Sequence, residues 1–520
     1  DIEPERWARI VDREIWLRLA KIAEAGAVLD TISRERLEAL SAQYPEWQLA
    51  ADQRDEFPYW MESGWVGDRD PWRDFASIPR SRRGLLNYLI ANPVLADSKQ
   101  DDWRKRCEDS FQATAYALCR LARQNVWPDD RWRDALQVWS EEKLLGRSWR
   151  YMAPVLADAD DDLLQTLAHG VSRWLQAIAK TFEGHETHFF GLARRILALD
   201  HQDGVDTDEP VMRAINHPVG HVTDALLRWW YRSSLEDGQG LPAELKPTFI
   251  ELCDTRIDKF RYGRILLAAH VIALFRVDRE WAMQHLLPLF DWHRSEPEAR
   301  AAWEGFLWSP RLYRPFMEVL KPAFLDTAHH YAALGKHDGQ YASLLTFAAL
   351  DMGDTFSTVE LAAATRALPP DGLHDAAQAL VRALEGAGDQ RADYWINRVA
   401  PYLHAIWPKT RDKISPAIAE SLGRLCVAAQ DAFPDALALL RAWLQPLAHP
   451  DYLVHRLHEA NLCGRFPEQA LEFLSLVIRE QAQWPPGDLG ACLEAVQTAM
   501  PELEADPRFD SLMASLRGHG

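Results

Sequence analysis

Basic residues are in short supply. Across 520 residues, 58 lysines and arginines stand against 77 aspartates and glutamates, a formal charge of −19. That balance repels phosphate backbones and disfavours a broad nucleic-acid surface, leaving room only for a local basic patch. Cysteine is scarce as well. The six, Cys107, Cys119, Cys253, Cys426, Cys463 and Cys492, form no C-x-x-C pair, and several follow apolar residues, as in Leu118-Cys119 and Leu425-Cys426. They read as reduced packing thiols of a cytoplasmic protein, with no clustered ligands for a zinc site. Long hydrophobic runs are missing. The longest, Ile265–Phe275, has 11 residues and contains His270, whereas a membrane span needs about 20. The first amphipathic stretch has begun by Trp7, and no secretory leader is expected ahead of the fold. The chain opens on Asp1 and not on Met, so the expectation is a piece of a longer polypeptide with chemistry upstream.

Catalytic signatures are also lacking. Neither the phosphate-cradling G-x-x-x-x-G-K-[ST] loop nor the G-x-S-x-G nucleophile turn occurs. Gly386-Ala387-Gly388 closes a helix with no strand before it, so it is a break and not a dinucleotide loop. His185 and His188 stand three apart beside Gly184, while a zinc-binding HExxH helix needs a spacing of four to face one metal; a surface turn is expected. His217 and His221 are four apart but enclose Pro218 and Gly220, the mark of a helix start. Asp158, Asp160, Asp161 and Asp162 precede Leu163, Leu164 and Leu167 and are expected to cap a helix, where the helix dipole favours carboxylates. No catalytic residue, cofactor site or metal site is assigned, and the chain is expected not to be an enzyme. Sustained Val/Ile/Thr alternation between hairpin turns is absent too, so strands are not expected.

What is present is helical periodicity. In the Gly263–Pro310 stretch, Ile265, Ala269, Ile272 and Phe275 share one face. Asp278 is placed to cap a second helix with the stripe Met283, Leu286, Leu287 and Phe290, and Ser295 with Glu298 has the capping-box spacing ahead of a third. Ser357 and Glu360 repeat that spacing. The predicted fold is all-α, with helix-pair repeats of the HEAT or armadillo kind. FPDALALL from Phe433 and FPEQALEFL from Phe466 start 33 residues apart, each followed by a second Leu-rich helix. With 48% hydrophobic residues, the chain exceeds what a single core usually fills. Expected lobes are 1–200, 211–350 and 351–520, the first two joined by the polar linker His201–Pro210.

Most of the 22 tryptophans fit helical core positions, among them Trp229, Trp230, Trp303 and Trp308. Trp60, Trp65 and Trp72 differ, because they fall in an irregular Gly/Pro/Asp-rich segment from Glu56 to Gly84, closely followed by Arg80, Arg82 and Arg83. Aromatics with arginine are the types enriched at binding hot spots, so these six are the candidate partner-binding residues. Packing of the tryptophans onto the helices is the competing explanation.

Several phrases together resemble a known group: EFPYWMESGWVGD from Glu56, NHPVGHVTDALLRWWY from Asn216, GRILLAAHVIALFRVDREW from Gly263, WEGFLWSPRL from Trp303, and DAFPDALALL, RFPEQALEFL and DPRFDSL in the tail. The chain resembles the helical C-terminal region that follows a sirtuin-like domain in bacterial antiphage defence proteins. That resemblance implies an upstream domain of the same polypeptide that consumes NAD, restrained or triggered through the helical region by a phage or host protein. A second copy of the chain is a further candidate partner, and a membrane is not. The sirtuin machinery, a Gly-rich NAD loop with a catalytic histidine, has no counterpart in these residues, so no family catalytic residue carries over. A general helical-repeat adaptor unrelated to NAD is the alternative, and a self-contained hydrolase of unfamiliar type stays open behind it.

Overall fold

The computed structural model describes residues 4–24, 29–49, 77–93, 101–201, 209–351, 353–409, 413–479 and 485–517. Among them every regular element is helical. The chain divides into two compact units, Asp1–Asp74 and Phe75–Gly520.

The first unit pairs α1 (Pro4–Glu24) with α2 (Thr31–Gln43). Asp30 caps α2, its carboxylate accepting from Ser33 N at 2.8 Å. Trp16 donates from Nε1 to Ser41 Oγ at 2.9 Å and meets Trp47 edge-on at 5.8 Å, so one indole ties both helices and the following turn.

The second unit is built from α3 (Arg82–Ala91), α4 (Trp103–Asp109), α5 (Phe111–Ala122), α6 (Asp129–Trp139), α7 (Glu142–Ala157), α8 (Asp161–Ile178), α9 (Glu186–Ala198), α10 (Pro218–Trp230), α11 (Arg261–Ala269), α12 (Glu296–Leu307), α13 (Arg314–Asp326), α14 (Asp338–Asp351), α15 (Thr358–Ala367), α16 (Pro370–Gly386), α17 (Pro416–Ala428), α18 (Phe433–Leu440), α19 (Asp451–Glu459), α20 (Pro467–Val477), α21 (Leu489–Ala499) and α22 (Pro507–Arg517), with shorter turns between. Contacts run between alternate helices. One series is α4–α6–α8–α10–α11–α12, and α14–α16–α17–α19–α21 extends the pattern. A second series is α3–α5–α7–α9, with α13–α15 and α18–α20–α22 later in the chain. Buried apolar side chains run from Ile78 to Leu512 as one cluster, across both 201–210 and 350–351, where lobe boundaries were expected.

Local chemistry explains many of the starts. Asp160 Oδ1 accepts from Leu163 N at 2.8 Å, so the acidic run is a cap. Ser357 and Glu360 form the reciprocal box ahead of α15. Asp278 accepts from Trp281 N at 3.1 Å, as its position predicts. Ser295 and Glu298 break the rule. Ser295 makes no side-chain cap, and Glu298, whose carboxylate a capping box would turn back to the Ser295 N–H, is instead buried against Arg264 at 2.6 Å and Arg261 at 2.7 Å. A charge-assisted pair in a dry interior outweighs a cap at the surface. Between α11 and α12 the backbones touch: a Cβ at Gly305 would lie 2.3 Å from Ile265 O.

Two π-helical segments, Ala282–Leu286 and Trp395–Val399, each end two residues before a proline, Pro288 and Pro401. Proline has no N–H for the carbonyl four residues back, so the helix widens there. This corrects the expected second stripe. Leu286 and Phe290 are buried, but Met283 is rotated out to 46% exposure. Trp308, expected in the core, ends α12 with 51% exposure and meets His337 edge-on. The tail repeat forms the expected helices, with the Phe433 and Phe466 rings 6.3 Å apart.

Candidate functional site

Of the six expected partner-binding residues, Trp60, Trp65 and Trp72 lie outside the described residues. Arg80, Arg82 and Arg83 are described, and all three are exposed at the start of α3. Their placement is fixed from beneath. Ser81 caps α3, its Oγ accepting from Gly84 N at 3.1 Å. Asp102 Oδ1 accepts from Ile78 N at 2.7 Å, and Arg106 donates to Arg80 O at 3.4 Å. Deeper still, Asp101 accepts from Tyr88 Oη at 2.8 Å and pairs with the buried Arg131 guanidinium at 2.8 Å. Arg131 continues to Asn92 O at 3.2 Å, and Trp103 Nε1 donates to Arg131 O at 3.0 Å. A buried pair with every fork occupied orients the helix it touches, whatever its net contribution to stability.

The neighbouring helices extend the arginines. On α5 the buried residues Phe111, Ala115, Leu118 and Leu121 leave Gln112, Tyr116 and Arg120 as a solvent stripe, one turn apart. On α7, Leu145, Trp149, Met152 and Leu156 face inward, while Lys143, Arg147, Arg150 and Tyr151 face water. Two contacts link the three helices at this surface. The Arg82 guanidinium lies over the Tyr116 ring at 5.2 Å, and the Phe111 and Tyr151 rings are 6.3 Å apart. Tyr116 is 46% exposed and Tyr151 57%. Lys143 is engaged by Glu108 and Glu141. Arg82, Arg83, Arg120, Arg147 and Arg150 meet no carboxylate among the described residues. The stretch Arg80–Arg150 carries 14 basic and 10 acidic residues, a local excess of +4 within a chain of −19.

Beside Arg150 a groove of about 530 Å³ is lined by Gly146, Trp149, Arg150, Thr181, Phe182, Glu183, Gly184 and His185. Trp149 forms its wall, donating to Gly184 O at 3.1 Å with its ring 5.2 Å from Phe182. Gly184 and His185 turn with φ of 70° and 61°, a left-handed pair that confirms the expected surface turn. His185 and His188 bring their Nδ1 atoms within 3.3 Å of each other. Among the described residues no group of three or more His, Cys, Asp or Glu could hold a metal ion.

His217 and His221 are both buried beneath the surface helices' neighbours. His217 is the N-cap of α10, its Nδ1 accepting from Val219 N at 3.1 Å, and its ring stacks on Tyr262 at 4.0 Å. His221 Nδ1 lies 3.0 Å from Ser172 Oγ on α8. Burial, with the nearby His201 and His169, holds His217 down at about 3, and burial with His169 holds His221 down at about 4. Both are helix-start and core groups, as their spacing suggested.

Chemically, the α3–α5–α7 surface offers planar forks for carboxylates and aromatic faces for apolar contact. Tyr116, Arg120, Arg147, Arg150 and Tyr151 escaped sequence reasoning. Their signal is a recurrence of arginine and tyrosine at one-turn spacing on helices that prove to be neighbours.

No family model matches this chain, and no solved structure matches it. It is similar to a curated protein of Sinorhizobium fredii described as uncharacterized protein y4cA, at 23% identity over 544 residues. The match covers 97% of this chain and 43% of that protein, so the chain spans less than half the length of this relative.

Proposed function

We propose that this chain is a non-catalytic regulatory scaffold: helix pairs stacked in the HEAT or armadillo manner, holding an acidic segment of a protein partner on the arginine–tyrosine surface. The observation that carries this reading is the set of guanidiniums at Arg82, Arg120, Arg147 and Arg150 that meet no carboxylate among the described residues, interleaved with the exposed Tyr116 and Tyr151. Arginine and tyrosine are the residue types that dominate protein hot spots. The acidic remainder of the chain does not cancel the patch. At physiological salt the Debye length is about 8 Å, so charges beyond that reach are largely screened from a partner seated on the local +4. The span of less than half the S. fredii relative supports a place within a larger polypeptide. The resemblance to the helical region behind sirtuin-like defence domains supports NAD consumption as the output that the partner controls. An adaptor without that output uses the same surface.

Two measurements test the reading. A fluorescent 12-residue glutamate-rich peptide containing two tyrosines should bind in 0.15 M salt. Converting Arg82, Arg120, Arg147 and Arg150 together to glutamate should weaken it by about 100-fold or more, since like charges across a contact cost several kcal/mol. Single-stranded DNA of equal charge binding more tightly would move the surface to nucleic acid and sink the protein-partner reading. In the polypeptide carrying a sirtuin-like domain ahead of this chain, the same variant should lose the infection-dependent fall in NAD. An unchanged fall would remove the surface from regulation.

A further inference from the structure

A second open feature lies far along the chain. Between the Trp395–His404 stretch and α18 runs a groove of about 570 Å³, lined by Trp395, Ile396, Pro401, His404, Asp435 and Leu439 with two alanines. Its form follows from the sequence. Pro401 offers no N–H to Asn397 O, and the preceding turn, Trp395–Val399, is π-helical. The widened turn keeps Trp395 in the core and leaves Ile396 outside, 58% exposed. A β-branched aliphatic exposed in that position costs hydration, and it stands beside a half-buried Leu439. On the rim, Asp435 occupies the first turn of α18, exposed and without an ion pair or side-chain hydrogen bond among the described residues.

We propose that this groove docks an amphipathic helix of a protein partner, with an aliphatic stripe on Ile396 and Leu439 and a lysine or arginine opposite Asp435. The mode is a helix laid in a groove, read by anchors one turn apart. Charge selects the partner. Among the described residues that line the groove, the one carboxylate, Asp435, has no ion pair, so a basic side chain opposite it is favoured and an acidic one disfavoured.

The probe is a labelled 18-residue helical peptide of leucines at i, i+3, i+4 and i+7 with lysines elsewhere, beside a twin with glutamate for lysine. Anisotropy in 0.15 M salt should show the lysine form binding the whole chain and the glutamate form binding at least about ten-fold more weakly. Ile396→Glu should weaken the lysine form by about ten-fold. Asp435→Lys should weaken it severalfold and strengthen the glutamate form. Lysine-form affinity that survives Ile396→Glu is diffuse attraction to an acidic chain and overturns the proposal, as does an unreversed preference in Asp435→Lys. Concentration-dependent self-association abolished by Asp435→Lys would make a second copy the occupant and overturn it too. Both side chains are exposed, so the variants should keep the wild-type melting curve; if Ile396→Glu does not, Ile396→Ser carries the same comparison.

Discussion

The arginine–tyrosine surface and the Ile396 groove solve opposite problems. The first is made by side chains. Three helices, α3, α5 and α7, stay α-helical, α7 across an internal Pro154, and their solvent stripes carry arginines that meet no carboxylate among the described residues, with the buried Arg131–Asp101 pair beneath α3. The second is made by backbone. A π turn stands ahead of a proline, an isoleucine points outward from it, and one carboxylate without an ion pair among the described residues marks the rim. A surface of the first kind attracts at a distance and depends on salt. A groove of the second kind depends first on shape, with a single carboxylate choosing the sign of its partner.

The largest difference should appear in acid. His217 and His221 are neutral in the fold at pH values where free histidine, near 6.5, takes up a proton. Their folded values are depressed, so the unfolded chain binds protons that the folded chain refuses. Stability is therefore complete above about pH 6.5 and is lost as pH falls toward 4, by about 1.4 kcal/mol per pH unit for each histidine. His169, His201 and Arg173 face the pair and work against protonation, while Asp224 favours it at His221. Hydrogen exchange from pH 7 to 4 should show α8 and α10, beside the arginine helices, losing protection before α16 and α17. Simultaneous loss in both regions would mean that the histidines are not the weak point.

Next in size is the crossed set of variants. Reversing the four arginines should abolish glutamate-peptide binding and leave the leucine–lysine peptide within about two-fold, while Ile396→Glu should do the converse. If either variant affects both probes, the two features are one site or the fold has shifted, and far-UV circular dichroism separates those outcomes. Salt draws a finer line. Raising it from 0.05 to 0.3 M should weaken the glutamate peptide by about ten-fold or more and the leucine–lysine peptide by much less.

The sequence disclosed these regions unequally. The helical class, the caps at Asp160, Asp278 and Ser357, and the helix start at His217 were legible because each depends on residues within one turn. Ser295–Glu298 has the same spacing as Ser357–Glu360 but a different fate, since Arg264 arrives from another helix and takes the carboxylate. Met283 followed the expected 3.6-residue stripe only on paper, because Pro288 shifted the turn before it. Arg80, Arg82 and Arg83 drew attention as a cluster along the chain. Arg120, Arg147 and Arg150 did not, for each is an ordinary polar-face residue until α3, α5 and α7 are known to lie side by side.

The smallest effect is the most specific. The Arg82 guanidinium lies over Tyr116 at 5.2 Å, exposed on both sides. Such a contact contributes about 0.5–1 kcal/mol at a surface. Tyr116→Leu keeps the apolar bulk and removes the ring, so α5 should fold unchanged while Arg82 loses its support. If the tyrosine orients the arginine for a carboxylate, glutamate-peptide affinity should fall by about two- to five-fold, and the Arg82→Ala, Tyr116→Leu double variant should be no weaker than Arg82→Ala alone. If the losses add, Tyr116 touches the peptide by itself, and the surface binds through aromatic faces as much as through charge. The leucine–lysine peptide should register neither change, because nothing in the groove at Ile396 depends on a cation held over a ring.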